Sequence, residues 1–161
     1  SVEAVGLDGA ARWQLPDGGT WLGVDGDQIV VAGEGEPIRV LDDAGHELQR
    51  WPALAAETFP MAITGGHLLT YAVDVEESAV DLATGRTRWR LDPSWSGYPT
   101  VDVAGDGLVR VALPDGVEVQ DVATQKRRAS APGTTLLVHG RRAVSVESVP
   151  GKAAFRVVPF R

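Results

Sequence analysis

AVDLATGRTRWRL, residues 79–91, decides the fold. Ala79, Asp81, Thr84, Gly85 and Trp89 stand at fixed offsets, with a Thr-Gly turn between two short runs and a tryptophan closing the second. Taken alone, the stretch is either one hairpin or a motif that carries chemistry. Its sisters along the chain separate the two.

Related segments begin at Val5 (VGLDGAARWQL), Arg39 (RVLDDAGHELQRW) and Val119 (VQDVATQKRRAS). Their turn positions are Gly9, Gly45, Gly85 and Gln125, spaced by 36, 40 and 40 residues. A second series of turns, marked by Gly26, Gly66, Asp106 and Arg141, interleaves at 40, 40 and 35 residues. Pro60 and Pro99 give a weaker echo at 39. Two interleaved series sharing one period are the mark of a repeat array.

Each period has room for four short strands. In the third unit they are expected at Thr100–Val103, Leu108–Leu113, Val117–Val122 and Lys126–Ser130, joined by AGDG, PDG and ATQ. Alternation with β-branched residues argues for strands, and Gly and Asp suit the turns. Residues 51–59, WPALAAETF, come nearest to a helix and are expected as an extended loop. Four antiparallel strands about every 40 residues predict an all-β fold, a β-propeller of about four blades, forming one domain over residues 1–161. Three blades run from about Trp21 to Ser130; strands near 2–7 and 11–15, and near 135–138, 143–148 and 154–159, are expected at the two ends. The expectation is a compact four-blade array in which both ends complete one blade with one strand to spare, against the alternatives of a piece of a larger propeller or a half that pairs with a second copy.

Composition bounds the function classes. The 161 residues are 43% hydrophobic, enough for a core, and no run of eighteen apolar residues occurs. The net charge is -7 and the longest basic run is KRR at 126–128, which argues against a nucleic-acid surface. Absence of cysteine excludes disulfides, thiolate metal sites and a cysteine nucleophile. The chain opens on Ser1 without a charged-then-apolar leader; a removed signal or an excised domain is expected.

The pattern Ala79, Asp81, Thr84, Gly85, Trp89 resembles the tryptophan-docking motif of quinoprotein-type (PQQ-like, WD40-like) β-propeller repeats. The resemblance implies that the tryptophan of an outer strand packs on a glycine-bearing peptide of the neighbouring blade, with Asp and Thr holding the turn. The motif is complete in one unit. Asp8 and Trp13 remain around Gly9; Asp42 remains around Gly45, where the tryptophan position falls on Gln49 with Trp51 two residues later; Asp121 and Thr124 remain around Gln125, with Ala129 in place of tryptophan. Enzymes of the family resemble one another in a bound quinone, calcium, a catalytic Asp and adjacent cysteines. With neither cysteine nor asparagine here, no catalytic or cofactor position carries over. The resemblance implies a bacterial, extracytoplasmic, non-catalytic module without a cofactor, serving as a protein-interaction or ligand-sensing platform; the alternative is part of a propeller enzyme completed by further blades.

Other candidates weigh less. His46, His67 and His139 are read as exposed turn residues rather than metal ligands, since a metal needs three or four. Asp25 with Asp27, and Asp102 with Asp106, are read as turn formers rather than a calcium site. Ser94, Ser96 and Ser145 lack an activating base in sequence context. DPSWSGYP, residues 92–99, connects one blade to the next and carries Trp95 and Tyr98; equivalent connections carry Trp21 and Phe59. Trp21, Trp95 and Tyr98 are the candidate partner-binding residues, the competing role being inter-blade packing. The partner is expected to be a protein or small ligand on the propeller face, with no nucleic acid and no membrane insertion, and with self-association as a further expectation.

Overall fold

The computed structural model describes residues 2–5, 10–15, 21–33, 35–72, 76–91, 100–132, 135–139, 142–149 and 152–159. Among these the regular structure is entirely β. A hairpin of β1 (Val2–Val5) and β2 (Ala11–Leu15) comes first. Three four-stranded antiparallel blades follow: β3 (Trp21–Asp25), β4 (Gln28–Gly33), β5 (Glu36–Leu41) and β6 (Glu47–Ala53); β7 (Thr58–Thr64), β8 (His67–Ala72), β9 (Glu76–Asp81) and β10 (Arg86–Leu91); β11 (Val101–Gly105), β12 (Leu108–Leu113), β13 (Gly116–Asp121) and β14 (Arg127–Ala131). A three-stranded sheet of β15 (Thr135–His139), β16 (Arg142–Val149) and β17 (Lys152–Pro159) ends the array. The strands expected from the repeat are present within one or two residues at each boundary. Residues 51–59 complete β6, turn at Ala56 and Glu57, and begin β7, without a helix.

Alternate residues of each inner strand feed opposite faces, and both faces are buried because a blade lies on either side. Val30, Ala32, Ile38 and Val40 of the first blade pack with Leu68, Val80 and Leu82 of the second. Leu69, Ala79 and Trp89 on the other face of the second blade pack with Val101, Val109, Val111 and Val122 of the third. Val117, Val119, Ala129 and Ala131 continue toward Val138 of the last sheet. Each fully buried Val or Leu contributes roughly 1.5–3 kcal/mol relative to exposure. A single blade would leave half of this surface in water.

Tryptophans lock the seams. Trp13 donates from Nε1 to the Asp43 carbonyl at 3.0 Å, and its ring lies against Gly45, where a methyl group would come within 2.5 Å. Trp51 repeats this on the next blade, with Nε1 to the Leu82 carbonyl at 3.0 Å and its ring against Gly85. Trp89 donates to the Val122 carbonyl at 2.6 Å. The first blade therefore uses Trp51 and not the Gln49 position that simple offset counting gives. Gln49 pairs with Val40 after a bulge, as Trp89 pairs with Ala79 after the matching bulge of β9–β10; Trp51 lies two residues further along, opposite Ile38.

The turn ends of the blades are tied as well. The Asp25 carboxylate accepts the Gly66 N–H at 2.7 Å. In the next seam Thr64 Oγ1 donates to the Gly105 carbonyl at 2.8 Å and accepts the Gly107 N–H at 2.9 Å. Asp25 is thus more than a turn former. Among the described residues β1–β2 and β15–β17 are separate sheets that share no hydrogen-bonded ladder, in contrast to the expected blade shared by both ends. The count explains this, because two strands and three strands exceed a four-stranded blade by one.

Trp51→Ala is expected to destabilise the fold by about 3 kcal/mol or more, measured by denaturant unfolding, since it empties a seam and orphans the Leu82 carbonyl. Gln125 holds a φ of 55° at the position where Gly45 and Gly85 stand. Gln125→Gly is expected to stabilise the same transition by roughly 0.5–1 kcal/mol through relief of that conformation; no gain would refute the strain.

Candidate functional site

Strand alternation puts the two hairpin turns of every blade at one end, and the second-to-third-strand turns and inter-blade connections at the other. The connection end holds Trp21, which begins β3, and Phe59, second residue of β7. Register makes them equivalent: Trp21 pairs with Ala32 and Phe59 with Tyr71. Trp21 is half-buried, folded over Gly23 of its own strand and packed into the seam beside Ile63. Phe59 stands 42% exposed, an apolar ring on the open face. Trp95 and Tyr98 lie outside the described residues.

The first residue after that connection is held by a buried acid. Glu77 has no exposed surface. Its Oε1 accepts the Thr100 backbone N–H, and Oε2 accepts the Thr100 hydroxyl at 2.8 Å. Burial raises the Glu77 pKa; the hydrogen bonds from Thr100 and the Val101 N–H oppose the shift without cancelling it. Glu77 thereby fixes where the connection bearing Trp95 and Tyr98 re-enters the third blade. Nothing in the EESAV run marks this residue, since an alternating acid there matches a solvated strand face.

The second blade also differs from its neighbours on the face it turns to the preceding blade. At one register position the second and third strands pair Val31 with Arg39, Thr70 with Ser78, and Val111 with Glu118. Arg39 reaches Glu47 at 2.8 Å and Glu118 reaches Arg127 at 3.2 Å, so long charged side chains occupy that place in the first and third blades. In the second blade two small hydroxyls occupy it and line a cleft of about 220 Å³ between the first and second blades; a cleft of the same volume in the third blade is bordered by Glu118 and Arg127. Trp51, Leu54, Ile38 and Val80 supply apolar walls, with Glu76 and Arg90 paired at 2.8 Å beside them. The cleft runs along the seam from Gly85 to Ala55, Thr58 and Glu76 at the connection end. Thr70 and Ser78, 1% and 9% exposed, hydrogen-bond each other at 2.8 Å.

The remaining sequence candidates fall into structural roles. His67 is buried, 6% exposed, rather than an exposed turn residue; its Nδ1 meets the Gly65 carbonyl at 2.8 Å and its Nε2 has no partner. The inward face of β8 at a tight seam explains this. His46 is exposed and pairs with Asp42; the His139 side chain lies outside what is described. Among the described residues no cluster of three metal-ligating side chains forms. Asp42, Asp81 and Asp121 each brace a turn between the last two strands. Asp42 is lowered in pKa first by the His46 N–H, and Asp121 first by the Thr124 hydroxyl. For Asp81, desolvation works upward but is outweighed by the Ala83 and Thr84 N–H groups, leaving a lowered pKa. Arg39 and Arg50 bring Glu47 down to about 2, Arg50 contributing most.

No protein-family model matches the chain, and no curated protein matches it. Solved structures do. The chain is similar to the crystal structure of a eukaryotic initiation factor, with TM-score 0.59 and 12% identity over 95% of this chain and 44% of that one. It is similar to the C-terminal WD40 domain of Sif2, with TM-score 0.52 and 15% identity over 85% of this chain and 42% of that one. It is similar to the computationally designed protein Ika4, with TM-score 0.50 and 18% identity over 84% and 88% of the two chains. At these identities the likeness is one of fold, and the fold is a β-propeller of about four blades. The chain spans less than half the length of the first two structures.

The directions of the pKa shifts fix a pH dependence. A carboxyl raised in the folded state, as in Glu77, contributes stability below its unfolded pKa, near 4.5, that is lost as pH rises through the folded value. Glu77→Gln, which keeps an acceptor for the Thr100 N–H, is therefore expected to raise the thermal midpoint at pH 7.5 more than at pH 4. An equal shift at both pH values would show that Glu77 is not held against its charge. Glu77→Ala is expected to cost about 1–3 kcal/mol for the orphaned Thr100 donors.

Proposed function

We propose that this β-propeller is a non-catalytic recognition module that binds a protein or small ligand on the face where the inter-blade connections emerge. The observation that carries it is Phe59, an apolar ring left exposed at that end of a scaffold whose seams are closed by Trp13, Trp51 and Trp89. An exposed aromatic on a rigid frame costs little entropy when it anchors a partner. Trp21 stands at the equivalent position one blade earlier, and Trp95 and Tyr98 occupy the connection one blade later, so the reading extends to them.

The tryptophan contacts also support placing the chain with the quinoprotein-type repeats. Trp51 on Gly85 and Trp13 on Gly45 follow the arrangement that family uses, and Asp81 accepts the Thr84 N–H at 3.1 Å within the turn. From that kinship we take a bacterial, extracytoplasmic setting. Secretion of a reporter fused to the native gene start tests the setting independently of binding.

A photo-crosslinking amino acid at position 59 is expected to capture one partner reproducibly from an extract of the source organism. The substitutions Phe59→Lys or Trp95→Ala with Tyr98→Ala, assayed with a crosslinker at position 57, are expected to abolish that capture while the thermal midpoint stays within about 2 °C of the parent, as expected for surface changes below 0.5 kcal/mol. Unfolding of these variants instead would assign the aromatics to packing and end the proposal.

A further inference from the structure

We propose that the cleft between the first and second blades binds one neutral sugar ring. This deepens the ligand-sensing part of the recognition role and rests on it.

The cleft differs in its lining from the rest of the repeat: a third-blade cleft of the same volume is bordered by the charged Glu118 and Arg127, and this one by hydroxyls. Arg39 and Glu118 stand at the corresponding position in the first and third blades, where they pair with Glu47 and Arg127, and Ser78 stands there in the second and lines the cleft. The partner of Ser78 has changed too, from Val31 and Val111 to Thr70. A hydroxyl pair carries two hydrogens, and the bond between Thr70 and Ser78 uses one of them. Among the described residues neither hydroxyl has another partner. A buried donor left in this state costs about 1–3 kcal/mol, which an acceptor in the cleft would offset.

The other walls narrow the ligand. Glu76 and Arg90 satisfy one another at 2.8 Å, so the cleft presents no uncompensated charge to draw in an ion. Trp51, Leu54 and Val80 offer apolar surface, and Thr58 and Thr87 offer further hydroxyls. About 220 Å³ is smaller than the roughly 300–1,000 Å³ of sites for drug-sized molecules and fits a single six-membered ring. A pyranose joins an apolar C–H face with a hydroxylated edge that both accepts and donates, matching indole on one side and hydroxyls with an ion pair on the other. A plain aromatic ring would leave the hydroxyl pair unsatisfied.

Saturation-transfer NMR with the methyl pyranosides of glucose, galactose, mannose and N-acetylglucosamine tests this directly. At least one is expected to bind saturably with a dissociation constant on the order of 1 mM, the strength that about 0.3 kcal/mol per heavy atom allows a single ring. Ser78→Arg, which restores the side chain of the first blade, is expected to weaken that binding at least tenfold with the circular dichroism spectrum unchanged. Should that variant misfold, Thr70→Val with Ser78→Ala keeps the volume and removes the hydroxyls, and an expected fivefold loss decides the matter. Saturable binding of indole without any pyranoside, no saturable pyranoside, or undiminished binding in the folded variants would each overturn the proposal. Such a failure leaves the position-59 capture untouched, and failure of that capture alongside intact sugar binding would count against the face and not the cleft.

Discussion

Everything in this propeller depends on a tryptophan resting on a turn that belongs to the next blade. The contact is geometrically demanding. Gly85 takes a φ of 68° and lies so close to the Trp51 ring that an added methyl would collide with it, while the indole N–H is spent on the Leu82 carbonyl. A flat ring held at one edge by a hydrogen bond and over its face by a bare peptide sets both the spacing and the rotation of two sheets. The buried valines and leucines then have only one way to interdigitate. Trp89 shows that the hydrogen bond can outlast the glycine, since it reaches Val122 across a turn that carries Gln125.

Closure at the turn end leaves variation to the other end. The turns at Asp25, Thr64 and Gly107 are tied across seams, and Asp42, Asp81 and Asp121 brace the outer hairpins, so substitutions there strike several bonds together. The connection end carries an exposed phenylalanine, a half-buried tryptophan and a cleft lined by two small hydroxylic residues. Glu77 links the two regimes: it sits deep in a blade and fixes the start of the strand that leaves the connection.

Charge follows the same division. The chain is acidic overall, yet its outer strands carry Arg50, Arg88, Arg90, Arg127 and Arg128, each paired with a carboxylate of its own blade. These exposed pairs contribute little to stability individually. Their structural effect is to border the clefts at the blade margins: Glu118 with Arg127 in the third blade, and Glu76 with Arg90 in the second, where Ser78 adds a hydroxyl.

The repeat was legible because it is local. Turn residues spaced by about 40, alternation of four short strands and one complete copy of the motif at 79–91 are written in the order of the amino acids, and they sufficed for the blades, the strands and the role of Trp89 in a seam. Offset counting named Gln49, which does hold the register of Trp89, but the seam is filled by Trp51 two residues further along, where its indole reaches Leu82 and Gly85 of the next blade. The burial of His67, the Glu77–Thr100 clasp and the cleft at Ser78 were invisible for a different reason. Each depends on a residue of another blade or on side chains 23 or more positions away, or on the volume left between two sheets. Periodicity tells which face of a strand is covered; only the packed neighbour decides what a buried group meets there, and whether the space is filled or left open.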